Sequence, residues 1–323
     1  MMNKDAKIYV AGHRGLVGQA ILRQLRARGH NNIVLRTSHE LDLRRQSDVC
    51  DFFADERPDY VFGAAAVVGG IKANSDFPAD FLGKNLMIQT NLVDAAYRSG
   101  VRKLLFLGSA CIMPREAAQP MKEEYMLTGP LEETNEWYAV AKIAGIKMCQ
   151  SYRRQYGFNA ICAMPTNLFG IDDNFDLETS HVPAALMRKM HDAKIAGRDE
   201  IAIWGTGKPL REFMFADDMA DACIFLMDNY NGEQFINVGA GVEITIADFA
   251  RLIAEVVGYT GRFVFDAARP DGPPRKLLDN SRLNDLGWKS KVSLREGLER
   301  TYAWFLENDA KLRMFSPDKV GKA

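Results

Sequence analysis

Tyr138 and Lys142 form the only Tyr-x-x-x-Lys pair in the chain, inside a run whose apolar spacing is helical. Residues i and i+4 share a helix face, so the ammonium comes to lie beside the phenol. A nearby cation lowers a phenol pKa from about 10 and makes the hydroxyl a better proton donor or acceptor near neutrality. Ser109 follows the strand-like run Lys103 to Leu107 and would bring a hydroxyl to the same substrate oxygen. These three residues suit proton transfer at one oxygen.

A second constellation is Gly12-His13-Arg14-Gly15-Leu16-Val17-Gly18, between an apolar run (Ala6 to Ala11) and a helical pattern (Leu16 to Arg28). Such a turn exposes backbone N–H groups and a helix N-terminus to a pyrophosphate, so a dinucleotide is expected here. Sites for NAD usually carry Asp or Glu at the end of the second strand, but here Leu35 is followed by Arg36, Thr37 and Ser38. A guanidinium suits a 2′-phosphate, and Arg14 supplies a second cation, which favours NADPH over NADH. Ordinary solvated arginines are the competing reading.

No metal is expected. Asp217-Asp218 lacks an accompanying histidine or third carboxylate and reads as the cap of the next helix. The five cysteines include no C-x-x-C pair, which argues against zinc or a disulfide framework and for a reducing compartment.

The elements that must hold these groups alternate in type. Strand-like runs at Ala6 to Ala11, Ile33 to Leu35, Tyr60 to Ala66 and Lys103 to Leu107 are separated or followed by helical patterns. The later helices are expected at Gln46 to Asp55, Leu86 to Arg98 and Trp137 to Tyr156. Repeated β-α-β units predict an α/β fold, a Rossmann-type doubly wound parallel sheet with helices on both faces. Beyond residue 170 the pattern loosens into a smaller, mixed α/β lobe. The expected division is 1–170 for the NADP-binding domain, 171–315 for the substrate lobe, with some segments returning to the first sheet, and 316–323 for a tail.

Composition excludes other classes. The chain has 323 residues, 47% hydrophobic and 26% charged, which rules out a disordered or collagenous chain. Lys and Arg total 41 against 42 Asp and Glu, so nothing draws it generally to nucleic acid or an anionic membrane. With no apolar signal core and no run of about 18 apolar residues, a soluble, cytoplasmic protein is expected.

On these motifs the chain resembles the extended short-chain dehydrogenase/reductase family, the class of the nucleotide-sugar epimerases and dehydratases, as far as about Leu306. The resemblance implies that Tyr138 transfers the proton, Lys142 holds the nicotinamide ribose and Ser109 orients the sugar. It also implies that NADP lies along Gly12 to Gly18, Arg36, Leu107, Gly108, Ser109, Ala110, Pro165, Thr166, Asn167 and Leu168, with Lys142 and His181 completing the set.

Further strings narrow the resemblance: Ala64 to Ile71, Phe106 to Ile112, Met164 to Gly170, Ser180-His181-Val182, Trp204 to Gly207, and Pro270-Asp271-Gly272 with Arg275-Lys276. They are similar to the branch that converts GDP-4-keto-6-deoxy-D-mannose to GDP-L-fucose by 3,5-epimerisation and NADPH-dependent 4-reduction. Inverting C3 and C5 beside a C4 ketone needs a base on one face and an acid on the other. By resemblance Cys111 is the base, its thiol activated by neighbouring positive charge, and His181 the acid. The resemblance places the GDP-sugar on Lys189, Trp204, Arg211, Asp271 and Lys276, and implies a homodimer through residues 84–99 and 137–156.

The chain departs from the branch at Ala110, at Met113, expected near the sugar pocket, and at Lys189, where arginine is usual. Related enzymes that form GDP-L-colitose or reduce a GDP-keto-heptose remain alternatives, as does a non-catalytic NADP-binding sensor.

Overall fold

The computed structural model describes residues 1–177, 179–268, 271–309 and 312. The expected tail at 316–323 and Pro270 of the Pro-Asp-Gly string lie outside the described residues.

β1 (Ile8–Ala11) is buried along its whole length and runs through the glycine turn into α1 (Leu16–Ala27). β2 (Ile33–Val34), α2 (Gln46–Glu56), β3 (Tyr60–Gly63), α3 (Ile71–Asp76), α4 (Pro78–Arg98) and β4 (Lys103–Leu107) follow. α5 (Glu136–Tyr156) leads to β5 (Ala160–Pro165) and β6 (Asn167–Phe169). Next come α6 (Val182–Ile195), β7 (Glu200–Trp204), β8 (Leu210–Phe215), α7 (Ala216–Asn229) and β9 (Ile236–Val238). β10 (Glu243–Thr245), α8 (Ile246–Val257), β11 (Arg262–Asp266), β12 (Arg275–Lys276), α9 (Ser281–Asp285) and α10 (Leu294–Asn308) complete the order.

Among the described residues the main sheet runs β2-β1-β3-β4-β5-β9, and every pairing is parallel. A parallel sheet must be covered on both faces. Phe53, Leu92, Val93 and Ile146 from α2, α4 and α5 bury one face, and Ile21, Leu25, Ala220 and Leu226 from α1 and α7 the other. Each such Leu, Ile or Phe contributes about 1.5–3 kcal/mol on burial. This is the expected doubly wound sheet. β1 has β2 on one side and β3 on the other, so the chain reverses direction there and opens a crevice at the strands' carboxyl ends. The glycine turn lies in that crevice.

The second sheet is smaller and mixed. β8 pairs antiparallel with β10 and parallel with β12 and β6, while β7 and β11 pair separately. α6, α8 and α10 pack over it around Phe213 and Phe249, whose rings stack at 4.1 Å. Two late elements belong to the first sheet's layers: α7 packs on α1, and β9 pairs with β5. α4 starts at Pro78, earlier than the apolar periodicity from Leu86 suggests, because proline is favoured in a helix's first turn.

Candidate active site

The glycine turn is a tight cradle. Gly12 has φ +78°, and a Cβ on it would lie 2.6 Å from the Ala65 nitrogen. A Cβ on Gly18 would lie 2.7 Å from the Gly12 carbonyl carbon, so both positions exclude a side chain. Gly15 is exposed and stands at the N-cap of α1 with no side chain satisfying the helix's first N–H groups. Beside it, His13 is buried and its Nδ1 has no partner. Open amides and an unpaired ring nitrogen at a helix N-terminus fit the pyrophosphate of a dinucleotide. Leu16 and Val17, half-buried in the first turn of α1, pack against the apolar layer beneath.

Arg36 does not stand free. Its Nη2 donates to Glu56 Oε1 at 2.5 Å, and its guanidinium lies 5.6 Å from the Phe52 ring centre. Arg14 is exposed, and both arginines stabilise the Glu40 carboxylate, which Thr37 holds below the usual range by backbone and side-chain hydrogen bonds. The two expected phosphate cations therefore face one corner of the crevice, with Glu40 and Glu56 competing for them.

α5 brings Tyr138 and Lys142 to the end of β4. Gly145 permits the approach, since a Cβ there would lie 2.8 Å from Gln89 Oε1. Gln89 in turn donates to the Ala141 carbonyl at 2.6 Å and pins α5 to α4. Lys142, 3% exposed, donates to the Leu107 carbonyl at 2.9 Å and lies 5.7 Å from the Tyr138 ring centre. Gly108, whose N–H donates to Ala163 at 2.9 Å, continues the strand to Ser109. A short 3-10 turn, Ala110–Ile112, then turns Cys111 inward.

Electrostatics here correct one expectation. Burial, and then the neighbouring Cys111, push the Tyr138 phenol up, and only Ser109 pulls it down. The phenol is thus held protonated, a donor rather than an activated acceptor. Burial lowers Lys142 to about 8. For Cys111 too, burial raises the thiol, although Ser109, Lys276 and Lys142 all favour the thiolate. The positive neighbours are present but weaker than desolvation.

His181 occupies the N-cap position of α6 without a side-chain capping bond. It is solvent-accessible, yet the surrounding protein disfavours its charged form and lowers its pKa. The loop before it passes Gly70, where an added Cβ would lie 3.9 Å from the Thr179 and Ser180 carbonyl oxygens. Met113 is buried in the layer that holds Cys111, and Ala110 is half-buried beside it.

In the second lobe, Arg211 on β8 and Lys276 on β12 are paired residues across a parallel ladder. Lys276 lies near enough to Cys111 to favour its thiolate, linking this lobe to the first. Trp204 ends β7, 64% exposed. Lys189 donates to the Ala202 carbonyl at 2.9 Å, on the same strand as Trp204. Asp271 is already engaged: it accepts from Thr206 N at 2.9 Å and Thr206 Oγ1 at 2.6 Å, holding the Gly205–Gly207 loop.

Pro165 ends β5, Thr166 links it to β6, and Asn167 and Leu168 open β6; both Thr166 and Asn167 donate to the main-chain carbonyl of Glu212. Glu212 went unread in the sequence, though an acidic residue inside the strand run Leu210 to Phe215 is a visible signal. Asp217 and Asp218 are not the cap expected. Phe215 takes that position, Asp217 pairs with Arg23, and Asp218 accepts from Ser290, Lys291 and Val292.

A model described as the NAD dependent epimerase/dehydratase family matches residues 8–239. The chain is 59% identical over 308 residues to GDP-L-fucose synthase 1 of Arabidopsis thaliana, covering 95% of each chain. It is 52% identical over 316 residues to GDP-L-fucose synthase of Escherichia coli K12, covering 95% of this chain and 98% of that one. Among solved structures, a GDP-mannoheptose C4 reductase from Campylobacter jejuni with NADP bound matches with TM-score 0.87 and 39% identity, covering 95% of this chain and 100% of the other.

Proposed function

This chain belongs to the NAD dependent epimerase/dehydratase family, and on that footing we propose that it inverts C3 and C5 of GDP-4-keto-6-deoxy-D-mannose and reduces C4 with NADPH, giving GDP-L-fucose. The observation that carries the reading is the meeting of Ser109, Cys111, Tyr138 and Lys142 at the end of β4, with Lys276 of the second lobe beside Cys111.

The glycine turn at Gly12, Gly15 and Gly18 would hold NADPH, which would supply the hydride for the C4 carbonyl. Tyr138, held protonated, donates the proton that the C4 oxygen then needs, and Ser109 orients that oxygen. Cys111 removes the acidified protons at C5 and C3, favoured in its thiolate form by Lys276 and Lys142. His181 returns protons from the other face. Lys142 holds the ribose of the cofactor, and Arg211, Lys276 and Lys189 hold the GDP diphosphate, with Trp204 and Asp271 at its nucleoside.

Incubation with NADPH and GDP-4-keto-6-deoxy-D-mannose, followed by NMR of the product, tests this directly. GDP-L-fucose is the expected product. A second reading is reduction of a GDP-keto-heptose, favoured by the NADP-bound structural neighbour. Turnover of the heptose in preference to the 6-deoxy sugar would overturn the first reading.

α4 and α5 leave Met87, Val140 and Tyr156 exposed, which supports a homodimer through these helices. No described helix is long and apolar enough to cross a membrane. The cysteines Cys50, Cys111, Cys149, Cys162 and Cys223 are unbridged, in keeping with the cytoplasm as the proposed location.

A further inference from the structure

We propose that Glu212 is a positioning residue whose carboxylate holds β12, and with it Lys276, in place against β8. The inference rests on the reading of Arg211 and Lys276 as diphosphate ligands. Glu212 follows Arg211 on β8 and is 0% exposed. Its carbonyl oxygen accepts from Asn167 Nδ2 at 3.0 Å and Thr166 Oγ1 at 3.3 Å, which ties β8 to the β5–β6 connection. Its carboxylate reaches in other directions. Oε1 accepts from the Gly241 N–H at 2.7 Å, beyond β9, and Oε2 from the Leu278 N–H at 3.2 Å, two residues after Lys276. Asn280 and Thr166 side chains also favour the ionised form.

One residue thus fixes three segments to β8. A Cβ on Gly239 would lie 2.7 Å from the Glu212 Cδ, so that glycine makes room for the carboxylate. The donors named are neutral, and burial raises the pKa of the group. A leucine would fill an interior strand position at less desolvation cost, but would leave the Gly241 and Leu278 amides buried without acceptors. What the carboxylate specifies is the placement of β12. Lys276 lies on that strand beside Arg211, and the residues after it are joined to the first lobe: the Leu277 N–H donates to Gln119 Oε1 at 2.8 Å, and the Met121 N–H donates to the Leu277 carbonyl at 2.7 Å. Lys276, whose charge favours the Cys111 thiolate, therefore stands on a seam whose far side Glu212 holds.

The main-chain bonds to Thr166 and Asn167 survive a side-chain change, whereas those to Gly241 and Leu278 do not. Substrate and cofactor binding should therefore separate in Glu212→Gln, which keeps the shape but turns one acceptor into a donor facing an N–H. Calorimetric titration of the full chain with GDP and, separately, with NADPH reads the split. Loss of one charge-assisted bond predicts GDP binding weakened about ten-fold, with NADPH affinity changed by less than about two-fold. In steady state, KM for the GDP-sugar should rise more than kcat falls.

Gly239→Ala, which displaces the carboxylate without removing it, should give the same split and decides the matter if Glu212→Gln does not fold. Equal weakening of both ligands, or unchanged GDP affinity, overturns the positioning role. Failure of the unaltered protein to bind GDP overturns the functional reading and this inference with it.

Discussion

The ammonium of Lys142 lies 5.7 Å from the centre of the Tyr138 ring, one helical turn along α5, and donates to the Leu107 carbonyl at 2.9 Å. The pair is therefore anchored to the end of β4, two residues before Ser109, and does not swing with the helix surface. Tyr138→Phe removes the donor and keeps the ring's packing against Phe81, 6.4 Å away. C4 reduction should fall by about 10²–10⁴-fold, the usual contribution of a general acid, with GDP-sugar affinity retained. Undiminished reduction by this variant, measured as NADPH oxidation, would identify another donor.

Cys111 must lose its proton to act as base, and burial raises its thiol pKa. Proton removal at C3 and C5 should therefore quicken as pH rises and still be climbing at about pH 9, above the ordinary thiol value of about 8.5. Solvent deuterium incorporation, followed by NMR across pH, measures it. A plateau below neutrality would contradict the assignment. Cys111→Ser should abolish exchange while direct reduction continues, giving an unepimerised product.

Arg36 must leave Glu56 to meet a 2′-phosphate. Arg36→Ala should erase most of the preference for NADPH over NADH. Glu56→Gln should strengthen NADPH binding about two- to five-fold, since a half-exposed ion pair is worth at most about 1 kcal/mol, and leave NADH unchanged. Equal responses of the two cofactors in fluorescence titrations would remove Arg36 from the site.

A methyl at Gly18 would meet the Gly12 carbonyl group, so Gly18→Ala must open the turn. NADPH affinity should drop by at least about ten-fold, because each lost backbone contact to an anion is worth about 1.5–3 kcal/mol. A folded Gly18→Ala protein with normal NADPH affinity would place the pyrophosphate elsewhere.

Lys103 is a buried cation at the far end of β4. Its ammonium donates to the carbonyls of Leu226, Met227 and Tyr230 at 3.1, 2.6 and 2.6 Å, closing the C-terminus of α7. Lys103→Met should cost about 1–3 kcal/mol by leaving these acceptors unpaired. Burial lowers Lys103 to about 8, below its ordinary 10.5. Between those values the unfolded chain holds more protons, so this residue's contribution to stability grows as pH rises from 8 toward 10.5. Urea denaturation of both proteins at two pH values in that window should show the gap widening; a gap that narrows would mean the fold favours the charged form.

The α/β alternation, the glycine turn and the Tyr138–Lys142 pair were legible because each is written in local spacing. Buried strands such as Ile8–Ala11 show as short apolar runs, and i,i+4 pairs share a face wherever a helix forms. Cys111, His181 and the second-lobe cations drew their roles from resemblance, since nothing local aims a lone cysteine or histidine at a sugar. Tertiary structure decided the rest. Desolvation depends on every atom packed around a group, so the sequence suggested an activated Tyr138 and Cys111, while burial raises both. The pairing of Arg36 with Glu56, across twenty residues, depends on how α2 lies against β1 and β2. Glu212 is the plainest case: its partners lie 29 and 66 residues further along the chain, at Gly241 and Leu278, and only the pairing of β10 and β12 on either side of β8 brings their amides to one carboxylate.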